Sequence, residues 1–258
     1  MVASFVSFRR YALRALIPCS LFFTVATHAV ADEAADKLLE EKILKVIREH
    51  PKEIMEAVVG YQRGQAEQRM RSAETRLMEQ VAKLDKQQLL GDSPVRGKAG
   101  SQLVLIEFSD FQCPYCAKAN QTMQQFMASH GQEVALVYKH LPLSEMHPDA
   151  ADAALASWAA QQQGKFWEFH DAMFSAPDKL GEGFYTATAK SLGLDLARFD
   201  KDRASDAAKA AIQRDVDLAG TLNIQATPQF LLNARPITGA APLEEFEKTL
   251  GEARAALK

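Results

Sequence analysis

Residues 103–116 read LVLIEFSDFQCPYC, a short apolar segment that leads directly to two cysteines three positions apart. The part from Leu103 to Phe108 has the character of a buried central strand, and a second run of this kind extends from Val134 to Tyr138. A helix is predicted between them, from Cys113 to about Ser129. A strand, a helix and a parallel strand within about 35 residues make a right-handed crossover unit, which predicts an α/β fold.

The cysteine pair lies at the predicted start of this helix. Pro114 can occupy the first helical turn without losing an internal hydrogen bond. Residues i and i+3 share a helix face, so the sulfurs of Cys113 and Cys116 can come within disulfide range. The unpaired N–H groups of the helix end favour a thiolate at Cys113, whereas Cys116 is expected to be more buried. We predict that Cys113 is the nucleophile and that Cys116 resolves the mixed disulfide.

The same spacing also occurs in half of a zinc site, which is the main alternative for this motif. Zinc normally takes four protein ligands, and the only other cysteine is Cys19, near the N-terminus. His140 and His147 lack the spacing of a second ligand pair. We expect no metal and no cofactor other than the Cys113/Cys116 disulfide itself.

The N-terminus has the layout of a secretory signal. Three arginines precede an apolar run from Ala15 to Ala26, and Ala29-Val30-Ala31 offers a cleavage site. A transmembrane anchor is the weaker alternative, because the uncharged run is short for a bilayer and contains Pro18. Residues 1–31 are therefore predicted to be a cleaved signal peptide, and the mature protein to be periplasmic. In that oxidising compartment the two remaining cysteines, Cys113 and Cys116, can form an intramolecular disulfide only with each other.

The charge balance argues against a nucleic-acid partner. The full chain has 30 lysines and arginines against 33 acidic residues. Without the three arginines of the predicted signal, 27 basic residues remain against 33 acidic ones, a formal charge of −6. A phosphate-binding surface needs a basic patch, so no nucleic acid is expected.

A charged, helix-favouring segment extends from about Ala34 to Leu90. His50-Pro51 predicts a break, with Pro51 starting the longer helix. The apolar positions form narrow stripes of the kind found at a helix–helix seam: Leu39, Ile43, Val46 and Ile47 in one, and Ile54, Val58 and Tyr61 in another. We favour an oligomerisation stalk that joins copies of this chain through residues 34–90; a helical hairpin folded onto its own domain is the alternative.

A cluster of glycine, proline and polar residues after Leu90 separates this extension from the rest. The predicted organisation is a signal peptide at 1–31, a helical extension at 32–90, a linker at 91–101 and a catalytic domain at 102–258. Within that domain, residues from about 147 to 222 are predicted to form a helical insertion, with helices at Asp149–Gln162, Lys165–Phe174, Gly183–Leu192 and Arg203–Leu222. The strand pattern returns at Gln229–Leu232, a turn leads into Ile237-Thr238, and Pro242 opens a last helix.

From Leu103 onward the sequence resembles the DsbA-like family of thioredoxin-fold proteins. The resemblance is carried by the residues from Ile106 to Gln112 that lead into the CPYC motif, by Lys139-His140-Leu141-Pro142-Leu143, and by Ala226-Thr227-Pro228. It implies a thioredoxin-like fold with an inserted helical subdomain, here preceded by an N-terminal helical extension. It also implies thiol–disulfide exchange with exported cysteine-containing proteins, and a membrane redox partner of the DsbB or DsbD type.

The resemblance also implies a substrate-binding surface around the cysteines. In the family, the residue that matches Pro228 forms a cis peptide beside the cysteine pair, and the backbone before it, here at Thr227, can pair with an extended substrate. A cis proline is a rare and specific feature. Pro114 and Tyr115 of the CPYC motif are expected to belong to the same surface. The alternative for Pro228 is that it merely begins a strand.

Glu107 occupies the family's position for a buried acid beneath the cysteines, six residues before the nucleophile. It could take or relay the proton of Cys116. An acid in an apolar strand needs some such reason, although a strand-edge or water-linked carboxylate without catalytic effect is the alternative. Histidines titrate near neutral pH, but packing or surface roles are expected for His140, His147 and His170.

Two motif positions depart from the best-known DsbA proteins, which carry histidine in place of Tyr115 and valine in place of Thr227. Tyr115 and Thr227 are more similar to disulfide isomerases and to the oligomeric ScsC-like relatives. Without the histidine the Cys113 thiolate is expected to be less stabilised, and the disulfide a weaker oxidant. We therefore favour an oxidoreductase with isomerase-like capacity. The alternatives are a dithiol oxidase recycled by a membrane partner and, from another class, a non-catalytic chaperone-like binding protein.

Overall fold

The computed structural model describes residues 22–257, with side chains from residue 35 onward. Most of the predicted signal peptide lies outside the described residues. Packing divides the chain into two units, with the boundary between Glu67 and Gln68. Within the described part of the chain, no helix is both long enough and apolar enough to cross a membrane.

The described residues of the first unit form helices. Helix α1 spans Phe22–Glu49 and helix α2 spans Pro51–Ala82, so the predicted break at His50 is confirmed. The unit boundary falls inside α2. Between residues 35 and 67, no side chain is buried. The exposed positions include large apolar residues that a single chain leaves in water: Leu38, Leu39, Ile43, Leu44, Val46, Ile47, Met55, Val58, Val59 and Tyr61.

The second unit is built on a five-stranded mixed sheet of order β1-β3-β2-β4-β5. Its strands are β1 (Val95–Gly97), β2 (Leu103–Ser109), β3 (Val134–His140), β4 (Gln229–Leu232) and β5 (Arg235–Thr238). Strands β2 and β3 are parallel, as predicted, while β4 and β1 run antiparallel to β2 and β3 respectively. Strand β1 lies in the segment predicted to be a linker. The sequence did not predict this strand, because three residues are too few to show a strand's alternation.

Helices cover the sheet and form the insertion. They are α3 (Lys86–Leu90), α4 (Pro114–His130), α5 (Ala150–Gln161), α6 (Phe166–Ser175), α7 (Glu182–Ser191), α8 (Leu196–Arg203), α9 (Asp206–Thr221) and α10 (Leu243–Ala256). Helix α8 was not predicted, because its sequence is largely charged and buries only Phe199. The single helix predicted from Arg203 is shorter, because the Ser205 side chain caps the N-terminus of α9.

The two faces of the central strand β2 have different neighbours. Side chains alternate along a strand, and Leu103 and Leu105 pack with α4 and α10. Val104, Ile106 and Phe108 pack on the opposite face, with residues of α9 and with Val81 near the end of α2. The alternation therefore places the side chains of residues 107 and 109 on the face that α4 covers.

Candidate active site

The cysteine pair lies where β2 gives way to α4. Strand β2 ends at Ser109, and Cys113 is the N-cap residue of α4, in extended backbone conformation. The turn is held by Asp110, whose backbone oxygen accepts from the Cys113 N–H at 3.2 Å and whose side chain accepts from the Gln112 N–H at 2.8 Å. Both thiols are free, and Cys116 is fully buried whereas Cys113 retains slight exposure.

The two thiols differ strongly in acidity. A hydrogen bond from the Cys116 thiol lowers the pKa of Cys113 to about 5, and Thr227 together with the backbone N–H groups of Tyr115 and Cys116 adds to this effect against the cost of burial. Burial raises the pKa of Cys116, and its proximity to Cys113 raises it further. At neutral pH the site therefore holds a thiolate at Cys113 and a protonated thiol at Cys116.

The loop before β4 approaches this thiolate. The Thr227–Pro228 peptide bond is cis, as the resemblance predicted. Cys113 Sγ lies 3.6 Å from the Thr227 carbonyl oxygen, although 114 positions separate the two residues in sequence. Pro228 is buried, whereas Pro114 is exposed and Tyr115 is 65% exposed. An open surface therefore borders the nucleophilic sulfur on the motif side.

The Thr227 side chain offers a direct test of how the thiolate is stabilised. Its buried hydroxyl has no hydrogen-bond partner among the described residues, and it lowers the pKa of Cys113 and, to a smaller extent than the opposing effect of burial, that of Cys116. Thr227→Val keeps the shape but removes the hydroxyl, so we expect the pKa of Cys113 to rise. The thiolate absorbance of the reduced protein, followed against pH, measures this. Thr221→Val, on the exposed end of α9, is the matched control and should leave the titration unchanged; an unshifted curve in Thr227→Val would contradict the assignment.

Glu107 lies beneath the pair, on the α4 face of β2. It is 2% exposed and is paired in register with Tyr138 of β3 and Phe230 of β4, so it occupies the middle of the sheet and not an edge. Burial raises its pKa to about 7, although Ser109 and Arg96 oppose the shift. A carboxyl group with this pKa can both take up and release a proton near neutral pH, as general acid–base catalysis requires.

Asp110 and His147 form a contact that sequence reasoning did not find. The buried Asp110 carboxylate accepts from the Leu143 N–H at 2.9 Å and lies 2.7 Å from His147 Nδ1. Nearby, the Gln112 side chain exchanges two hydrogen bonds with Asp149. These contacts hold the loop after β3 against the turn that precedes Cys113. The only sequence signal was an acidic residue, Asp110, directly after the buried strand and three positions before Cys113.

The other two histidines are packing residues, as expected. His140 and His170 are 3% and 2% exposed, and burial lowers the pKa of each, so both are neutral at pH 7. Their rings contact those of Phe111, Tyr138 and Phe166. They support the aromatic cluster behind the cysteines.

The fold and the site together define a class. A central strand leads into a helix that begins with a thiolate and a buried thiol, and a cis-proline loop faces the thiolate. This is the arrangement of thioredoxin-fold dithiol proteins, the class to which thiol–disulfide oxidoreductases belong.

Comparison with known proteins agrees with this class. Residues 90–252 match the sequence profile of the thioredoxin family. The thioredoxin-like oxidoreductase from Silicibacter pomeroyi DSS-3 is 28% identical, with a TM-score of 0.62 over 67% of this chain and 99% of that one. ScsC from Proteus mirabilis shares the fold at 22% identity, with a TM-score of 0.59 over 87% of this chain and 99% of its own. The chain belongs to the thioredoxin family.

The curated relatives are longer proteins. The Na(+)/H(+) antiporter NhaA 3 of Salinispora tropica is 34% identical over 164 residues, which cover 64% of this chain. The chain spans about a quarter of the length of that antiporter, 25%. The match therefore concerns a segment that the antiporter shares with this chain.

Proposed function

We propose that the protein is a thiol–disulfide oxidoreductase that exchanges disulfides with exported cysteine-containing proteins. The observation that carries this proposal is the difference in acidity between the two thiols, which leaves a thiolate at Cys113 and a protonated thiol one turn away at Cys116. The thiolate attacks a substrate disulfide, one substrate sulfur leaves as a thiolate, and a mixed disulfide forms at Cys113. We assign binding of an extended substrate to the cis Thr227–Pro228 segment, because Thr227 lies next to that sulfur.

Two routes lead out of the mixed disulfide. Cys116 can attack Cys113 Sγ, which releases a reduced substrate and leaves the Cys113–Cys116 disulfide. Alternatively, another thiol of the substrate attacks the mixed disulfide, which returns the Cys113 thiolate and a rearranged substrate. The second route is isomerisation and consumes no external oxidant or reductant, whereas the first requires a redox partner to reset the pair. We assign that role to a membrane protein of the DsbB or DsbD type.

We favour isomerase-like capacity, for two reasons that lie in different parts of the chain. Tyr115 and Thr227 are the motif residues in which this sequence resembles isomerases and ScsC-like proteins. The first unit exposes apolar side chains, such as Leu39 at 57% and Val46 at 53%, that a second copy could cover. A homo-oligomer would present several active sites to one misfolded substrate. The signal-like N-terminal sequence supports a periplasmic location.

Dithiol oxidation is the second candidate, and one observation favours it. The pKa of Cys113 is lowered to about 5, which stabilises the reduced form and makes the disulfide more oxidising than an unperturbed thiol pair would be. The sequence predicts a weaker oxidant than the best-known DsbA proteins, because Tyr115 replaces their histidine. The reduction potential of the Cys113/Cys116 pair, measured by equilibration with glutathione, shows how oxidising the disulfide is: more than an unperturbed pair, and less than in the best-known DsbA proteins, are the two expectations.

Refolding of a scrambled disulfide protein distinguishes the candidates and tests the stalk. The reduced full chain is expected to restore the activity of a scrambled substrate, while a chain lacking residues 35–67 is expected to be monomeric and to lose most of that recovery. The deletion stops at Glu67 because Val81 is buried in the core of the second unit. Its exchange with a small disulfide should remain normal, since the cysteines and their neighbours are retained.

A point variant provides the matched comparison. Ile43→Asp adds a charge to an apolar position of the stalk, and Gln62→Asp adds the same charge to an exposed polar position of the same unit. Light scattering should show a smaller assembly only for Ile43→Asp. If the number of subunits is unchanged in both the deletion variant and Ile43→Asp, the stalk hypothesis is contradicted. Absence of recovery by the full chain, with normal small-disulfide exchange, would leave oxidation as the function.

A further inference from the structure

A serine lies among the groups that must pass a proton when the mixed disulfide is resolved. Ser109 is the last residue of β2, two positions after Glu107, so both side chains lie on the α4 face of the sheet. Cys116 is in the first turn of α4 and Tyr138 is paired with Glu107 in the sheet. All four residues are buried, with exposures between 0% and 2%.

Ser109 ends β2 on the face that α4 covers, beside the start of the helix where Cys116 is buried. Its hydroxyl also lowers the pKa of Glu107, of Cys116 and of Tyr138. Its oxygen nevertheless forms no geometrically complete hydrogen bond within the described structure, and the same is true of Glu107 Oε1. A hydroxyl donates one hydrogen bond and accepts up to two, so it can accept from a thiol while it donates to a carboxylate.

We propose that Ser109 relays the proton of Cys116 to Glu107 during resolution of the mixed disulfide. The inference rests on the proposed function and specifies the path of one proton in it. As Cys116 sulfur attacks Cys113 Sγ, the bond from Cys113 to the substrate sulfur breaks and its electron pair leaves with that sulfur. The Cys116 proton passes to the Ser109 oxygen while the Ser109 proton passes to Glu107. Serine is unchanged at the end, and Glu107 is protonated.

The surroundings of the relay determine its pH dependence. The ionisable groups that approach it from neighbouring elements are Arg96 of β1, Asp110 of the active-site turn, Cys113 of α4, Tyr138 and His140 of β3, and His170 of α6. Both histidines are neutral and the pKa of Tyr138 is raised, so Glu107 is the group that titrates near pH 7. Glu107 accepts a proton only when ionised, so resolution should accelerate as the pH rises through about 7.

The experiment isolates this step. Cys113 is first converted to a mixed disulfide with thionitrobenzoate at acidic pH, and release of the coloured thiolate is followed by stopped flow after a jump to neutral pH. Ser109→Ala is expected to slow release by roughly 10²-fold, in the range that positioned proton transfer contributes. The release rate of the Ser109→Ala variant should rise mainly at alkaline pH, where hydroxide removes the Cys116 proton. Ser109→Thr retains a hydroxyl and should restore the wild-type profile.

Three controls make the outcome specific. The rate at which reduced Cys113 attacks a small disulfide, the symmetrical disulfide of thionitrobenzoate, should be unchanged in Ser109→Ala. This result also shows that the variant is folded. Ser157→Ala removes another buried hydroxyl, in α5, and should leave release unchanged. Glu107→Gln should slow release by the same factor as Ser109→Ala, and the double variant should be no slower, because both residues serve one path.

The results separate failure of the relay from failure of the function. Equal release rates and pH profiles for wild type and Ser109→Ala would overturn the relay and leave disulfide exchange intact. A slowed Ser109→Thr with an otherwise normal Cys113 attack would also count against it, because the hydroxyl would then not suffice. Failure of the wild-type chain to release thionitrobenzoate at all would contradict the proposed function itself.

Discussion

Cys113→Ser is expected to reduce disulfide exchange to the uncatalysed rate, a loss on the order of 10³-fold or more, because a serine hydroxyl does not ionise near neutral pH. Cys116→Ser removes the resolving thiol only. It should still attack substrate disulfides and should then accumulate as a mixed disulfide. Non-reducing electrophoresis and mass spectrometry of trapped adducts distinguish the two variants.

The wild-type chain gives a further check through the pH dependence of the first attack. The pKa of Cys113 is lowered to about 5, so the thiolate is the main form above that pH and is lost as the pH falls through it. The alkylation rate of Cys113 should therefore be nearly constant from neutral pH down to about one unit above this pKa and should fall to half its plateau near pH 5. For an unperturbed cysteine, with a pKa of about 8.5, the alkylation rate would already fall as the pH is lowered from alkaline to neutral. A Cys113 that behaves like such a thiol would contradict the depressed pKa.

Unaltered refolding activity in Cys113→Ser would change the interpretation of the site. The protein would then act as a chaperone-like binding protein, and the cysteines would serve as a structural staple. The exposed apolar residues of the first unit would have to carry that activity. This outcome is the main alternative to catalysis, and Cys113→Ser tests it in one measurement.

Asp215→Ala is expected to lower the free energy of unfolding by about 3–5 kcal/mol, because it leaves a buried lysine without its counter-ion. Lys139 of β3 and Asp215 of α9 form an ion pair of 2.9 Å, with side chains 4% and 10% exposed. The second Asp215 oxygen accepts from the His140 N–H at 3.0 Å, and Lys139 also donates to the Leu90 carbonyl oxygen. Urea unfolding measures the loss.

The matched control is a pair of the same type in solvent. Lys165 and Glu168 are 2.8 Å apart and 42% and 47% exposed, so Glu168→Gln should cost less than about 1 kcal/mol. Replacing both partners of the buried pair, Lys139→Met with Asp215→Leu, should recover most of the loss, since burial already opposes ionisation of Asp215. A single variant as stable as the wild type would show that Lys139 reaches water.

Local sequence patterns were sufficient wherever the physical cause was local. The apolar runs of β2 and β3 predicted the parallel crossover, and Pro51 predicted the helix break. The short strand β1 and the charged helix α8 were missed. Their stability depends on partners elsewhere in the chain: β1 is held by its ladder with β3, and α8 by the buried ring of Phe199.

The cysteine pair shows most clearly what each level of description can decide. The spacing of Cys113 and Cys116 and their place at a helix start follow from the sequence, because the geometry of one helical turn is local. The difference in acidity between the thiols is a tertiary property. It arises from burial of Cys116, from the hydrogen bond of its thiol to Cys113, and from the side chain of Thr227, 114 residues away in sequence from Cys113. Likewise, only the packed sheet buries Ser109 together with Cys116 and Glu107, and burial sets the protonation of both acids.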